Sequence, residues 1–479
     1  MVRAQHWGDV VAALTTSAAH MGPDTAARPA GAGQPAPGAL SAPTTHAEQL
    51  RERLISGTWT AAVHGLGYVG LPVAMAIADR GIRVIGLDIA ESTVAQLSRG
   101  ESHIEDVADE LLGSHLSDGL ASFTTNSADT TAADVVIITV PTPAGPDSEP
   151  DVSYVRSAAA NAAAAARPGQ LISLESTVYP GTSREIVAAA FAERGFVSGE
   201  NVFIVYSPER INPGDRTFDL TAIPKLVGGL DATSTELGTL AYRNFVGEVH
   251  PVASAEVAEL TKLLENVFRA LNIGLANEMA MLCHQLGIDV WDVVAAASSK
   301  PFGYLPHYPG PGVGGHCIPV DPVYLIHRAR VVGSAHTSLI EAATKINEGM
   351  PSYVVDRLEA GLRVRGRELA GSSLIVLGSA YKSGTADIRE SPSVEVIALL
   401  RERGADVRYH DPLVPQLPAL GLESVALSDA TLAAADAIVL ATDQPEINLA
   451  MVFFSARYVL DTRNAFRRRG LAGNNVEPL

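Results

Sequence analysis

Short apolar runs alternate with amphipathic stretches along most of this 479-residue chain. Five such runs in the first half lie at residues 59–64, 83–88, 134–140, 170–175 and 201–206. Strands that are apolar on both faces and alternate with helices are typical of parallel sheets. The pattern therefore predicts a doubly wound α/β domain in the first half of the chain.

The pattern changes in mid-chain and then returns. Residues 254–298 carry apolar side chains at helical spacing, which predicts an amphipathic connector with a candidate dimer surface; its Glu259 and Glu265 are expected to face solvent. A second set of short runs lies at residues 373–378, 406–410, 437–441 and 458–461. The predicted fold is thus α/β, with two Rossmann-like doubly wound domains joined by a long helical connector.

Four segments are expected from these boundaries. Residues 1–56 are rich in Ala, Pro and Gly and predict a flexible extension. The first sheet domain is expected at residues 57–253, the helical central domain at 254–350 and the second sheet domain at 351–479.

The composition limits the function classes. With 35 Lys and Arg against 53 Asp and Glu, the net charge of −18 argues against a nucleic-acid partner, because phosphate neutralisation needs clustered cations. The two cysteines, Cys283 and Cys317, lack the spacing of a disulfide framework or a metal site, so no metal and a reducing, cytoplasmic setting are expected. The sequence has neither a signal-peptide pattern nor a long apolar stretch, which predicts no membrane partner.

A glycine turn follows the first predicted strand. Gly65, Gly67 and Gly70 allow backbone N–H groups to approach a pyrophosphate at the start of the next helix. Asp88, at the end of the next strand, can accept hydrogen bonds from an adenosine ribose and would repel a 2′-phosphate. The combination predicts NAD as the cofactor. His64 is expected to be a neutral imidazole packed at the strand end.

A second glycine-rich segment, from Gly310 to Asp321, presents Cys317 on a loop. Glycines at this density suit a chain that turns tightly or lets a ligand approach, and a surface turn with a buried cysteine is the alternative. Lys262 and Asn266 lie one helical turn apart and face the same way, either into solvent or toward an oxyanion beside the cysteine.

Three further loops follow predicted strands, at the edge where ligands bind in open α/β sheets. Two of them, residues 175–182 and 207–214, could equally be ordinary Pro/Gly turns. The third belongs to the second sheet domain and carries Lys382 and Arg389. It suits either an anionic nucleotide or a capped surface turn.

Taken in order, these segments resemble the UDP-glucose/GDP-mannose dehydrogenase family of nucleotide-sugar dehydrogenases. The matching segments are residues 65–72, 141–143, 175–177, 208–209, 259–262 with Asn266, 314–317 with Asp321, and Lys382 with Arg389. The resemblance implies that the first sheet domain binds NAD, the central domain holds the cysteine loop and dimerises, and the second sheet domain binds a UDP-sugar.

The resemblance also implies roles for individual residues. The implied catalytic residues are Cys317, Lys262, Asp321, Asn266, Thr177 and Glu209. The implied cofactor contacts are Gly65, Gly67, Tyr68, Val69, Gly70, Asp88, Pro141, Thr142, Thr177 and Arg389. The implied substrate contacts are Glu209, Arg210, Lys262, Asn266, Tyr308, Gly310, Gly312, Gly314, Lys382 and Arg463.

The implied reaction oxidises a sugar C6 alcohol to a carboxylate, with two NAD⁺ accepting one hydride each. Cys317 would attack the bound aldehyde and carry a thiohemiacetal and then a thioester, which water hydrolyses. Lys262 would stabilise the oxyanions. Asp321, with Asn266 and Thr177, would position the water.

The residue before the cysteine limits the choice among candidate sugars. His316 resembles the branch that oxidises UDP-N-acetylhexosamines, because the UDP-glucose enzymes typically have serine there. UDP-N-acetylglucosamine is favoured, with UDP-N-acetylmannosamine and UDP-glucose as alternatives, and a homodimer or higher homo-oligomer is expected. Two other interpretations remain open: a two-electron NAD dehydrogenase without a covalent step, and a non-catalytic nucleotide-binding module.

Overall fold

The predicted strands form two separate sheets in a computed structural model that describes residues 45–104, 106–145, 149–210 and 223–479. Most of the predicted extension, residues 1–44, lies outside the described residues. The end of the predicted loop at residues 207–214 also lies outside them, from residue 211 onward.

The first sheet has eight strands. In chain order they are β1 (Thr60–His64), β2 (Arg83–Leu87), β3 (Ala121–Thr124), β4 (Val135–Ile138), β5 (Gln170–Leu174), β6 (Val202–Tyr206), β7 (Lys225–Gly229) and β8 (Val249–Pro251). Their spatial order is β3-β2-β1-β4-β5-β6-β7-β8, and only β6 and β7 are antiparallel. The first six follow the dinucleotide-binding order, whose direction reverses between β1 and β4 and opens a crevice at their carboxyl ends.

Helices cover both faces of this sheet. They are α1 (His46–Ser56), α2 (Gly70–Ala78), α3 (Glu91–Leu97), α4 (Asp109–Ser117), α5 (Ser153–Ala164), α6 (Ala189–Ala192) and α7 (Ala232–Arg243). Successive side chains of a strand point to opposite faces, so Ala61 and Val63 of β1 enter one apolar core while Ala62 enters the other. Burial on both faces explains why these strands read as uninterrupted apolar runs.

Helix α1 lies within the segment predicted to be a flexible extension. Thr45 begins it with a capping box, and Leu50 and Leu54 are buried in the first core. The predicted boundary after residue 56 is therefore wrong for α1, because a capped helix with a buried apolar edge belongs to the first sheet domain.

The central region is helical. Its helices are α8 (Ala255–Leu286), α9 (Val290–Ser298), α10 (Asp321–Val331) and α11 (Ser338–Val364). The predicted continuous helix is divided at Gly287, whose φ of 69° gives α8 a left-handed C-cap. The predicted domain boundary at residue 350 falls inside α11, which continues through Pro351 because a helix can accommodate a proline with a local kink.

The second sheet has five parallel strands in the order β10-β9-β13-β14-β15. These strands are β9 (Ser373–Leu377), β10 (Asp406–His410), β13 (Ala437–Leu440), β14 (Val459–Asp461) and β15 (Val476–Pro478), and β11 (Gln416–Leu417) with β12 (Leu422–Glu423) forms a small hairpin. Its helices are α12 (Pro392–Glu402), α13 (Asp429–Ala434), α14 (Leu449–Ser455) and α15 (Ala465–Arg468). The strand order reverses between β9 and β13, and the predicted class of two Rossmann-like domains with a helical connector is confirmed.

Candidate active site

A cavity of about 1480 Å³ lies where both sheet domains meet the central helices. The carboxyl ends of β1, β2, β4, β5 and β6 contribute to its wall, together with the loop before α10 and the start of α12. Open α/β sheets bind their ligands at this edge. The cavity is therefore the candidate active site.

The glycine turn between β1 and α2 forms one end of the cavity. Gly65 has a φ of 94°, and a side chain at Gly70 would overlap the carbonyl oxygen of Gly65. A Cβ at Gly67 would meet no protein atom within 4 Å. Gly65 and Gly70 are thus required by the turn itself, whereas Gly67 keeps the space in front of the backbone open for a ligand.

Asp88 sits at the end of β2 beside this turn. Its carboxylate accepts hydrogen bonds from the N–H groups of Leu66 at 3.0 Å and Ala90 at 2.9 Å. These bonds hold the carboxylate at the cavity wall with acceptor capacity to spare. The open turn and the carboxylate together fit NAD, whose pyrophosphate and adenosine ribose they would hold.

The other predicted cofactor residues also line the cavity: Tyr68, Val69, Pro141, Thr142, Thr177 and Arg389. They come from the glycine turn, from the ends of β4 and β5, and from the loop between β9 and α12. The fold therefore brings five separate chain segments, including Asp88, to one space.

His64 ends β1 and is buried, with 2% of its surface exposed. Neither ring nitrogen has a hydrogen-bond partner among the described residues. Burial lowers the pKa of His64 to about 4, so the imidazole is neutral at physiological pH. This agrees with the expected neutral ring at the strand end.

Cys317 lines the middle of the cavity, one turn before α10. Its carbonyl oxygen accepts the N–H of Asp321 at 2.8 Å, which fixes the loop to the start of that helix. Burial raises the pKa of the Cys317 thiol, and the nearby Lys262 ammonium opposes this shift. The thiol is thus protonated at rest and must lose its proton before it can act as a nucleophile.

Asp321 lies directly behind the cysteine and is 1% exposed. The Asn266 side-chain amide donates to its carboxylate, and Arg269 donates to the Asn266 oxygen. Burial raises the pKa of Asp321 to about 6, against the opposing effects of Lys262 and Asn266. The result is a carboxylate whose protonation changes near neutrality beside the candidate nucleophile.

Glu209 follows β6 and lines the cavity. Its carboxylate lies 3.0 Å from the Lys225 ammonium, which also contacts Glu175 at 2.7 Å. Glu209 is the carboxylate expected to do acid–base work, and the structure places it where a bound ligand can be reached.

Several polar residues near the site are held by partners of their own. Arg210 pairs with Glu265 of α8 at 2.6 Å and donates to the Pro224 carbonyl at 2.7 Å. Glu265 therefore does not simply face solvent as expected. Glu259 does not face solvent at all: it is 0% exposed and accepts the N–H groups of Gly181 at 2.6 Å and of Ser183 at 2.8 Å.

Glu259 thus ties α8 to the loop after β5. Burial raises the pKa of Glu259 to about 7, although the two backbone N–H groups favour its ionised form. Apolar spacing alone suggested a polar outer helix face, whereas this carboxylate turns inward to satisfy backbone donors.

Arg389 connects the second sheet domain to the glycine turn and to the cysteine loop. Its guanidinium carbon lies 5.3 Å from the centroid of the Tyr68 ring, and the group pairs with Asp387 at 2.6 Å. Arg389 also donates to Nδ1 of His316 at 3.2 Å. Burial and the Arg389 charge lower the pKa of His316, so this ring is neutral and carries its proton on Nε2.

Other predicted substrate residues do not line this cavity: Arg210, Asn266, Tyr308, Gly310, Gly312, Gly314, Lys382 and Arg463. Tyr308 is 56% exposed and stacks on Trp291. Lys382 is half-buried in the loop after β9. A Cβ at Gly314 would lie 2.6 Å from the Glu390 carbonyl oxygen, so this glycine lets the cysteine loop pack on the second sheet domain.

Arg463 and Gly310 meet at a second contact between the central region and the second sheet domain. A Cβ at Gly310 would lie 2.7 Å from the Arg463 guanidinium, and the Gly310 N–H donates to Asn277 at 3.0 Å. Arg463 donates from Nε to the Ala441 carbonyl at 2.7 Å. Burial lowers the pKa of Arg463 to about 10.

Lys225 and Arg269 are charged residues of the site that sequence reasoning did not select. Lys225 begins β7, a strand that was not predicted. A lysine heading the apolar run Leu226-Val227 was the available signal. Arg269, on α8 three residues after Asn266, resembles an ordinary exposed helix residue in the sequence.

Two classes of site are absent from the described part of the chain. It contains no group of three or more His, Cys, Asp or Glu side chains placed to hold a metal ion. No helix within it is long and apolar enough to cross a membrane.

Three family models match the chain in sequence. They describe the UDP-glucose/GDP-mannose dehydrogenase family: its NAD binding domain over residues 60–246, its central domain over 256–349 and its UDP binding domain over 375–468. The glycine turn falls in the first and the cysteine loop in the second. NAD is therefore the cofactor.

Individual relatives agree with this assignment. The UDP-N-acetyl-D-mannosamine dehydrogenase of Pyrococcus horikoshii is 36% identical over 412 residues, covering 85% of this chain and 96% of the relative. The UDP-N-acetyl-D-glucosamine 6-dehydrogenase of Pseudomonas aeruginosa is 37% identical over 357 residues, covering 74% and 82%. The solved structure of the UDP-D-ManNAc dehydrogenase from P. horikoshii has a TM-score of 0.78 at 33% identity, covering 88% of this chain and 98% of its own. The resemblance in the motifs is thereby confirmed: the chain belongs to the UDP-glucose/GDP-mannose dehydrogenase family and is an NAD-dependent UDP-sugar 6-dehydrogenase.

Proposed function

We propose that this enzyme oxidises the C6 alcohol of a UDP-N-acetylhexosamine to the uronic acid through a covalent bond to Cys317. The observation that carries the proposal is the position of Cys317 in the same cavity as the open glycine turn. Behind the thiol lies the buried carboxylate of Asp321 and beside it the ammonium of Lys262. A two-electron dehydrogenase would have no use for a nucleophile there.

The first oxidation removes a hydride from C6 and a proton from the C6 hydroxyl. NAD⁺, held by the glycine turn and Asp88, would supply the hydride acceptor for each of the two oxidations. Glu209 is the carboxylate at the cavity wall that takes the hydroxyl proton. Lys262 stabilises the negative charge that develops on the sugar oxygen.

Cys317 then forms its C–S bond to the aldehyde carbon. The thiol proton must leave, because burial holds the pKa of Cys317 above its ordinary value, and Asp321 is the nearby carboxylate that can receive it through water. Loss of the second hydride leaves a thioester. Water, positioned by Asp321 with Thr177, gives a proton to the Asp321 carboxylate as its oxygen adds to the thioester carbon. The C–S bond then breaks, and the sulfur leaves as thiolate.

The UDP moiety is assigned to the second sheet domain. Arg463 and Gly310 lie together between that domain and the central region, and Lys382 belongs to the loop after β9. A guanidinium and an ammonium near a glycine-lined approach suit a diphosphate. These residues, with Gly312 and Gly314 of the cysteine loop, remain the proposed substrate contacts.

The sugar is proposed to be one of two N-acetylhexosamines that are epimers of each other at C2. The sequence favours UDP-N-acetylglucosamine, and one relative carries that name. Relatives from P. horikoshii, Salmonella typhi and Methanococcus maripaludis are named for UDP-N-acetyl-D-mannosamine. UDP-N-acetylmannosamine is therefore the second candidate.

The test is an assay with UDP-glucose, UDP-N-acetylglucosamine, UDP-N-acetylmannosamine and GDP-mannose that counts NADH formed per sugar consumed. Two NADH per sugar with an N-acetylated substrate supports the proposal. One NADH per sugar would indicate the two-electron alternative, and no NADH with any sugar would indicate a non-catalytic nucleotide-binding module.

The exposed apolar face of α8 is proposed as the surface of a homodimer. The exposed apolar side chains of this helix are Val257, Leu260, Leu264, Phe268, Leu275, Leu282 and Leu286. A stripe this long is typical of an interface. Leu264→Glu should yield monomers in sedimentation, whereas Val364→Glu, at a residue 86% exposed on α11, should not; a dimeric Leu264→Glu protein would contradict the assignment.

A further inference from the structure

A largely buried polar cluster extends inward from the cavity wall, at the carboxyl ends of β5 and β6. Its members are Ser173, Glu175, Glu209, Lys225 and Tyr242. The Lys225 ammonium contacts one oxygen of each carboxylate, Glu175 at 2.7 Å and Glu209 at 3.0 Å. The Tyr242 hydroxyl donates to the other oxygen of Glu175 and lies 2.7 Å from the Ser173 hydroxyl.

The two carboxylates of the cluster differ in solvent exposure. The side chains of Glu175 and Lys225 are 0% and 7% exposed, and that of Glu209 is 14% exposed. Both Glu175 and Glu209 touch the cavity wall, whereas Lys225 does not. Lys225 therefore stands behind Glu209 and is itself held in place by Glu175.

The charges of the cluster show how Lys225 favours an ionised Glu209. Two carboxylates that share a buried space without a cation repel each other, and one of them takes up a proton. Burial disfavours a charged Lys225, but the carboxylates of Glu175 and Glu209 outweigh burial and raise the pKa of Lys225. The ammonium is thus charged at neutral pH.

Other groups also lie near Glu209. On its own loop, the Arg210 backbone N–H donates to the second Glu209 oxygen at 2.5 Å, while the Arg210 guanidinium is turned to Glu265. Lys262, on α8, also lines the cavity. The Lys225 ammonium contacts the Glu209 carboxylate directly, at 3.0 Å.

We propose that Lys225 is a positioning residue, which fixes the Glu209 carboxylate at the cavity wall as an ionised base. In the first oxidation the proton of the sugar hydroxyl passes to Glu209 as the hydride leaves C6, and Lys225 exchanges no proton. The inference rests on the proposed function, because the base needs a substrate hydroxyl to act on.

The test is a double-mutant cycle on kcat with the preferred UDP-sugar, using Lys225→Met and Glu209→Gln. Lys225→Met should lower kcat by about tenfold or more while the KM values for sugar and NAD⁺ change by less than about threefold. In the Glu209→Gln background the same change should lower kcat by less than about threefold, because Lys225 acts through Glu209. Equal losses in both backgrounds, or a loss confined to KM, would overturn the proposal.

Tyr242→Phe is the matched control. It removes a hydroxyl from the same cluster, but this hydroxyl contacts Glu175 and not Glu209. Its kcat should stay within about threefold of the parent enzyme. A loss as large as that of Lys225→Met would mean that any damage to the cluster slows the enzyme, which would overturn a specific role for Lys225.

A second measurement decides the matter if Lys225→Met does not fold. Infrared difference spectra between the parent enzyme and Glu209→Gln at neutral pH should show loss of an ionised carboxylate band. Loss of a protonated carboxyl band would overturn the proposal. Failure of the proposed function can be distinguished from failure of this inference. In that case the parent enzyme itself would not form two NADH per sugar.

Discussion

Replacing His64 with valine should make the first sheet domain more resistant to acid. The imidazole ends β1 with both ring nitrogens unpartnered among the described residues, and it is 2% exposed. Burial lowers its pKa from 6.5 to about 4. As the pH falls, the imidazole of the unfolded chain therefore takes up a proton at a higher pH than the imidazole of the folded protein.

The magnitude follows from these two pKa values. Because the folded-state pKa is depressed, the stability is present above pH 6.5 and is lost progressively as the pH falls toward about 4. A shift of this size corresponds to about 3 kcal/mol in full, of which about 2 kcal/mol is already lost at about pH 5. Valine binds no proton and has no such loss.

The assay is urea unfolding at about pH 7.5 and about pH 5, in a background where Trp7 and Trp291 are replaced by Phe. The fluorescence then reports Trp59, which is 2% exposed in the same domain. The difference between the two pH values removes any pH-independent effect of the substitution on packing. The parent protein should lose about 2 kcal/mol more than His64→Val between these pH values. Equal losses in the two proteins would refute the reasoning.

Two further predictions concern the cavity. Gly70→Ala should lower the thermal unfolding midpoint, because its Cβ would overlap the Gly65 carbonyl oxygen. Gly67→Ala has room for its Cβ and should fold, but it should weaken NAD⁺ binding measured by calorimetry. Normal NAD⁺ affinity in Gly67→Ala would contradict the placement of the pyrophosphate. Asp321→Asn should lower kcat by about a hundredfold or more and remove the fall in kcat below about pH 6 that protonation of this carboxylate causes in the parent enzyme. A pH profile of kcat that is unchanged in Asp321→Asn would show that another group controls it.

The parts of the fold that could be predicted from the sequence are those whose apolar residues in the sequence are also the residues buried in the structure. β10 matches its predicted bounds, and most other predicted strands differ by one or two residues, because each is an apolar run enclosed by helices. The strands that were missed in the two sheets are β3, β7, β8 and β15. β3, β8 and β15 are edge strands of only three or four residues, whereas β7 lies inside the sheet and begins with Lys225, which interrupts the apolar pattern. The domain boundary predicted after residue 350 falls inside α11, which continues to Val364.

The site residues were predictable where a single sequence motif determines both the backbone conformation and the reactive or binding group. The glycine turn, Asp88 and Cys317 reach a common cavity because the strand order places their loops at one sheet edge. Partners that depend on distant segments were not predictable. Glu259 binds backbone N–H groups after β5, and Arg389 reaches His316 across 73 residues, contacts that no local spacing encodes.

Cys317 is proposed to carry the sugar between the two hydride transfers. The most direct measurement counts NADH and uronic acid formed by Cys317→Ser at saturating NAD⁺ and UDP-sugar, beside the parent enzyme, after calorimetry has shown that the variant binds both. The parent enzyme should form two NADH and one uronic acid per sugar, and the variant should form no uronic acid. Two NADH per sugar from Cys317→Ser at the parent rate would contradict a covalent step at this cysteine.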